Sequence, residues 1–110
     1  MSKNLFVPTG GAPTSPGEML LEEFLRPMGI TAKAFAHHIA MTPAAVSEII
    51  HGRRGITPIT AFKFSLALGT TEQFWLNLQL ANELYELRHS RDVDKLKKTI
   101  TRMQAQVTAA

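Results

Sequence analysis

The sequence predicts an all-α fold, a bundle of five helices followed by a C-terminal sixth, and three observations predict it. Ser or Thr followed by Pro recurs at Ser15-Pro16, Thr42-Pro43 and Thr57-Pro58, pairing a helix N-cap with a proline at the first helical position, where its missing N–H costs nothing. Apolar residues return every three or four positions through most of the chain. Alternating β-branched runs, which would mark strands, are missing.

The elements follow in order. Residues 1–14, with Pro8, Gly10, Gly11 and Pro13, have no period and few groups to bury, so a disordered lead-in is expected. Ser15-Pro16-Gly17-Glu18 is a capping-box pattern opening the first helix, whose Leu21, Phe24, Leu25 and Met28 form one apolar stripe. Pro27 disfavours helical geometry at the residue before it, so this helix is expected to end near Arg26. Thr31 caps the second helix, which buries Phe35, Ala36 and Ile39. The third opens at Thr42-Pro43 and closes at Gly52, a residue that tolerates the left-handed conformation of a helix end. Its Val46, Ile49 and Ile50 face inward and leave Pro43, Ala44, Ala45, Ser47, Glu48 and His51 outside.

Residues 31–54 therefore read as two short helices around a tight turn, with Arg53 and Arg54 after the second: a helix-turn-helix. A rigid short helix with its N-terminal half exposed fits the major groove of B-DNA. Thr57-Pro58 starts the fourth helix and Gly69 stops it. It is apolar almost all round, through Ile59, Phe62, Phe64, Leu66, Ala67 and Leu68, and is expected at the buried centre. Thr71 caps a long fifth helix with two stripes. Phe74, Leu78, Ala81 and Tyr85 can pack inward; Leu76, Leu80, Leu84 and Leu87 need another surface, and a homodimer interface is the expected one. Val93, Leu96, Ile100, Met103 and Val107 form the narrow seam of a last helix, expected to pair with the dimer mate or the fifth helix. The domain limits expected are 1–14 for the tail, 15–88 for the DNA-binding domain and 89–110 for the basic C-terminal segment.

Composition narrows the function classes. The 110 residues suffice for one modest core. There is no cysteine, so neither a disulfide framework nor a thiolate zinc site is available. No apolar run is long enough to span a bilayer and no signal-peptide pattern opens the chain, so a cytoplasmic location and no membrane partner are expected. The net charge of +3 is uneven: residues 15–87 carry five Lys or Arg against seven Asp or Glu, and residues 88–110 six against two. DNA contact by the body must therefore use local clusters such as Arg53 and Arg54. Trp75 lies at helical spacing with Phe74 and Leu78 and reads as core. His37, His38, His51 and His89 lack metal-ligand spacing, and no catalytic constellation is present, so no metal, cofactor or enzymatic activity is expected.

Three motifs resemble those of the HigA-type antitoxins, or addiction-module antidotes, within the xenobiotic-response-element class of lambda-repressor-like helix-turn-helix proteins. They are Pro16-Gly17-Glu18 with Leu20, Leu21, Glu22, Glu23 and Leu25; Val46-Ser47-Glu48-Ile49 with Gly52-Arg53-Arg54, Ile56-Thr57 and Ala61; and Phe74-Trp75-Leu76-Asn77-Leu78-Gln79. The resemblance covers Ser15 to about Leu87. It departs at Ala40, a turn position often glycine, and at Asn82-Glu83, often tyrosine-aspartate. It implies a homodimeric repressor of its own operator that neutralises a cognate toxin, commonly a messenger-RNA interferase. It also implies base reading by Pro43, Ala44 and Glu48, with Ser47 nearby. Backbone phosphate is expected at Thr31, Lys33, Thr42, Arg53, Arg54, Thr57 and Thr60. The alternative is a stand-alone regulator or a protein-interaction module without a toxin.

Overall fold

Five N-caps set the helix starts in the computed structural model, which describes residues 11–105. Ser15, Thr31, Thr42, Thr57 and Thr71 each accept, through the side-chain hydroxyl, the backbone N–H three residues on, at 3.0–3.3 Å. Among the described residues the helices are α1 (residues 16–28), α2 (Ala32–His38), α3 (Pro43–Ile50), α4 (Pro58–Leu68), α5 (Glu72–Arg88) and α6 (Arg91–Thr99). Residues 1–10, most of the expected lead-in, and Val107 of the last seam lie outside the described residues.

The helix ends share one chemistry. After α3, Gly52 takes φ +74°, its N–H donates to Ile49 and that of Arg53 to Glu48, the two bonds of a Schellman turn. Gly29 ends α1 in the same way, with Gly29 N–H to Arg26 and Ile30 N–H to Leu25. After α2 the left-handed residue is Ala40, at φ +56°, with Ala40 N–H to His37 and Met41 N–H to Ala36. A Cβ in that region costs about 1–2 kcal/mol. Ala40→Gly should therefore stabilise the protein by about 0.5–1 kcal/mol after the extra chain entropy of glycine is subtracted. Thermal denaturation of the two proteins measures it; a lower melting temperature for the glycine variant would show that the turn is not strained.

The core joins α1 to α5. Met19, Leu20, Leu25, Phe35, Ala36, Val46, Ile49, Ile56, Ala61, Phe64 and Trp75 are all buried. Trp75 is its centre: its ring centroid lies 5.0 Å from that of Phe64, 5.1 Å from Phe74 and 5.5 Å from Phe24. Its Nε1–H donates to Thr70 Oγ1 at 2.6 Å, which satisfies the indole's polar atom inside the core.

Four expectations change. Helix α1 runs past Arg26 to Met28 because Leu20–Leu25 is π-helical and Arg26 N–H reaches back five residues to Leu21. The widened turn before Pro27 relieves the clash of its ring with the preceding turn, and Gly29 provides the stop instead. Ala45 is buried, because α1 as well as α2 packs on α3 and the helix is gripped from two sides. Helix α4 is not buried all round. It packs chiefly on α5, with Thr60, Ala61 and Phe64 inward, while Ile59, Phe62 and Leu66 on the opposite face are 68%, 48% and 72% exposed. Helix α6 ends at Thr99, with Ile100 extended, because among the described residues nothing covers Leu96, Ile100 and Met103 and an uncovered seam cannot hold a helix in water. Within the described residues, no helix is long and apolar enough to cross a membrane.

Candidate nucleic-acid interface

Helix α3 is held from behind and bare in front. Val46 and Ile49 are in the core, and α1 lies against α3 so closely that Gly17 has no room for a side chain: a Cβ there would come within 2.6 Å of Ile50 Cα and nearer still to the Ile49 carbonyl. Pro43 and Ala44, at the N-terminal end, are exposed; Ser47 and Glu48 are half-exposed one turn later; His51 is exposed at the C-terminal end. The ring of His51 is turned back on its own helix, with Nδ1 2.8 Å from the Ser47 carbonyl and 3.4 Å from Ser47 Oγ. This gives a short convex edge with its small side chains foremost, a shape that lets the helix backbone approach the floor of a major groove.

The flanks carry the groups expected at phosphate. Thr31 and Thr42 have their oxygens engaged as caps but keep a hydroxyl proton, and both are exposed, as is Lys33. The Thr57 hydroxyl donates to Thr60 Oγ1 at 3.1 Å. Thr60 is 8% exposed, with its N–H and its hydroxyl both tied to Thr57. Thr60 is a packed helix residue and drops out of the expected backbone contacts. Arg53 is exposed and, among the described residues, forms no ion pair. Arg54 is otherwise: its Nη2 and Nε lie 2.7 and 2.9 Å from Glu48 Oε1.

Three side-chain bonds that no local sequence pattern encodes brace this part of the fold. Lys63 Nζ, on α4, donates to the Ala40 carbonyl at 3.2 Å and closes the turn between α2 and α3. The Gln79 side chain of α5 accepts the Ile56 N–H at 2.9 Å, so it fastens the loop that follows α3. Asn82 Nδ2 donates to the carbonyls of Leu78 and Thr14, at 2.8 and 2.9 Å, tying the start of the domain to α5. The expected dimer stripe divides: Leu76 and Leu84 are half-buried, whereas Leu80 and Leu87 are 52% and 43% exposed. Ala81, expected to pack inward, is exposed. Within the described residues no three His, Cys, Asp or Glu side chains gather as a metal site.

Comparison with known proteins agrees with this geometry. The Helix-turn-helix family model matches residues 21–75. "Antitoxin HigA-1" of Vibrio cholerae serotype O1 is 47% identical over 77 residues, which cover 70% of this chain and 72% of that protein. The solved structure of antitoxin GraA superposes with a TM-score of 0.79 at 35% identity, covering 86% of this chain and all of that one. Antitoxin GraA in complex with its operator superposes with a TM-score of 0.75 at 33% identity, over 96% of this chain and all of that one.

Proposed function

The chain belongs to the HigA-type antitoxins, a helix-turn-helix family of DNA-binding repressors, and from that premise we propose that it is a homodimer that represses its own operon and neutralises a messenger-RNA-cleaving toxin encoded beside it. The observation that carries the DNA half is the presentation of α3, rigid from Gly17, Lys63 and Gln79 behind and exposed at Pro43 and Ala44 in front. Ala44 meets a thymine methyl, and Ser47 donates or accepts at a neighbouring base edge. Arg53, Lys33, Thr31 and Thr42 set the register on phosphate. Two copies related by a two-fold axis place their α3 helices about 34 Å apart, one turn of DNA. The toxin half is supported by the antitoxin relatives.

Two measurements test the two halves. Bandshift with duplex DNA from upstream of its own gene should give a retarded complex at nanomolar protein, with random duplex at least 1,000-fold weaker. Equal affinity for both would sink the operator reading. Co-expression with the neighbouring reading frame should restore growth that this frame alone arrests; no rescue by the intact chain would leave a stand-alone regulator. Arg53→Ala should weaken binding to operator and random DNA alike and flatten the dependence of log K on log salt by about 0.9. A loss confined to the operator would mean that Arg53 reads bases.

A further inference from the structure

Glu48 and Arg54 form a bonded pair on the DNA-facing edge, and their geometry separates them from the other charges there. Both donors of Arg54, Nη2 at 2.7 Å and Nε at 2.9 Å, fall on the same carboxylate oxygen, Oε1. Oε2 has no partner among the described residues. The backbone holds the pair as tightly as the side chains do: Arg53 N–H and Arg54 N–H both donate to the Glu48 carbonyl, at 2.8 and 3.2 Å, across the Schellman turn at Gly52. Both side chains remain half in solvent, at 42% exposure for Glu48 and 53% for Arg54.

A lone carboxylate one turn into a recognition helix would be repelled by phosphate. Here the guanidinium cancels that charge and holds the carboxylate in one orientation, at the expense of its own availability to phosphate. What is left is a fixed hydrogen-bond acceptor, Oε2, to which no described residue donates. In the major groove the exocyclic amines of cytosine and adenine can donate to it. Adenine sets its N7 acceptor next to the amine, where it opposes the second carboxylate oxygen; cytosine presents its N4 amine alone. Resting on the operator reading above, we propose that Glu48 reads a cytosine through Oε2, with Arg54 as its positioning residue and not a phosphate contact.

Selection from a library of random 30-base-pair duplexes, followed by competition titrations, tests this with the full chain. The wild type should select one cytosine at a fixed place in each half-site and prefer it about tenfold or more over the other bases. Glu48→Gln, nearly isosteric, should lose that preference or transfer it to adenine, to whose N6 and N7 a glutamine can bond. Arg54→Ala should lose the preference at the same base pair while the remaining positions keep theirs, a readout that general destabilisation would not give. The double variant should discriminate no worse than either single one. Uniform weakening by Arg54→Ala, with the cytosine preference intact and a shallower salt slope, would overturn the proposal and return Arg54 to phosphate. A selected site with no cytosine dependence would overturn it while leaving the operator reading standing; no selected site at all would overturn both.

Discussion

Gly17→Ala should destabilise the protein by at least about 3 kcal/mol, the upper range for overpacking, and lower its melting temperature by about 12 °C or more for a domain of this size. The added methyl meets backbone, the Ile49 carbonyl and Ile50 Cα, and neither can rotate away as a side chain would. Either α1 backs off, opening the core around Met19 and Leu20, or α3 is pushed outward at its C-terminal end. The second route also moves Glu48 and the Gly52 turn, so operator affinity measured well below the melting temperature should fall even while the chain is folded. Calorimetry and bandshift report both. An alanine variant with native stability would mean that the two helices are not in contact at this point.

The second large effect concerns assembly. Ile59, Phe62 and Leu66 make an exposed apolar face on α4, and Leu80 and Leu87 are exposed on α5. Surfaces of this kind on a small domain mark an interface, and the proposed partner is a second copy. Phe62→Glu combined with Leu66→Glu should give a folded monomer by light scattering, because both side chains point away from the core. Affinity for a two-half-site operator should drop about 100-fold or more once the second half-site no longer binds as an intramolecular event. Leu80→Glu with Leu87→Glu is the companion variant. If it alone dissociates the protein, the α5 stripe carries the interface and the α4 face does not.

What the sequence made legible is local. Cap, proline and stop residues lie within four positions of the bonds they make, so all five bundle helices could be placed from Ser15, Thr31, Thr42, Thr57 and Thr71 alone. The bonds that brace the exposed edge of α3 and the start of the domain are not local: Lys63 to Ala40 and Gln79 to Ile56 each span 23 residues, and Asn82 to Thr14 spans 68. No periodicity encodes such pairs. The effect of Pro27 depends on whether the turn before it is α or π, which composition does not say. The apolar residues of α4 are plain in the sequence but what covers them is not, since hydrophobicity states that a face must be covered and not by which chain. Among the candidate contacts, Pro43, Ala44, Lys33 and Arg53 stand on exposed surface, whereas Thr60 was indistinguishable from Thr57 in sequence and is inside. In sequence Glu48 and Arg54 are separate charges, because a pairing six residues apart across a left-handed glycine follows neither helical nor strand spacing.

Gln79 and Leu80 are neighbours in sequence on one helix, one fastened to the loop behind α3 and the other exposed on the surface where the proposed mate sits. In the proposed dimer a single helix about 10 Å thick would separate the reading edge from the two-fold axis, with no flexible joint between them. In such an arrangement the distance between half-sites is itself part of the message. One extra base pair would carry a half-site about 3.4 Å away and turn it by about 36°, and a frame this stiff has no loop in which to take up either displacement. Such a dimer would work as a caliper, closing only on sites whose spacing matches its own jaws, and its selectivity would arise in part from base pairs that it never touches.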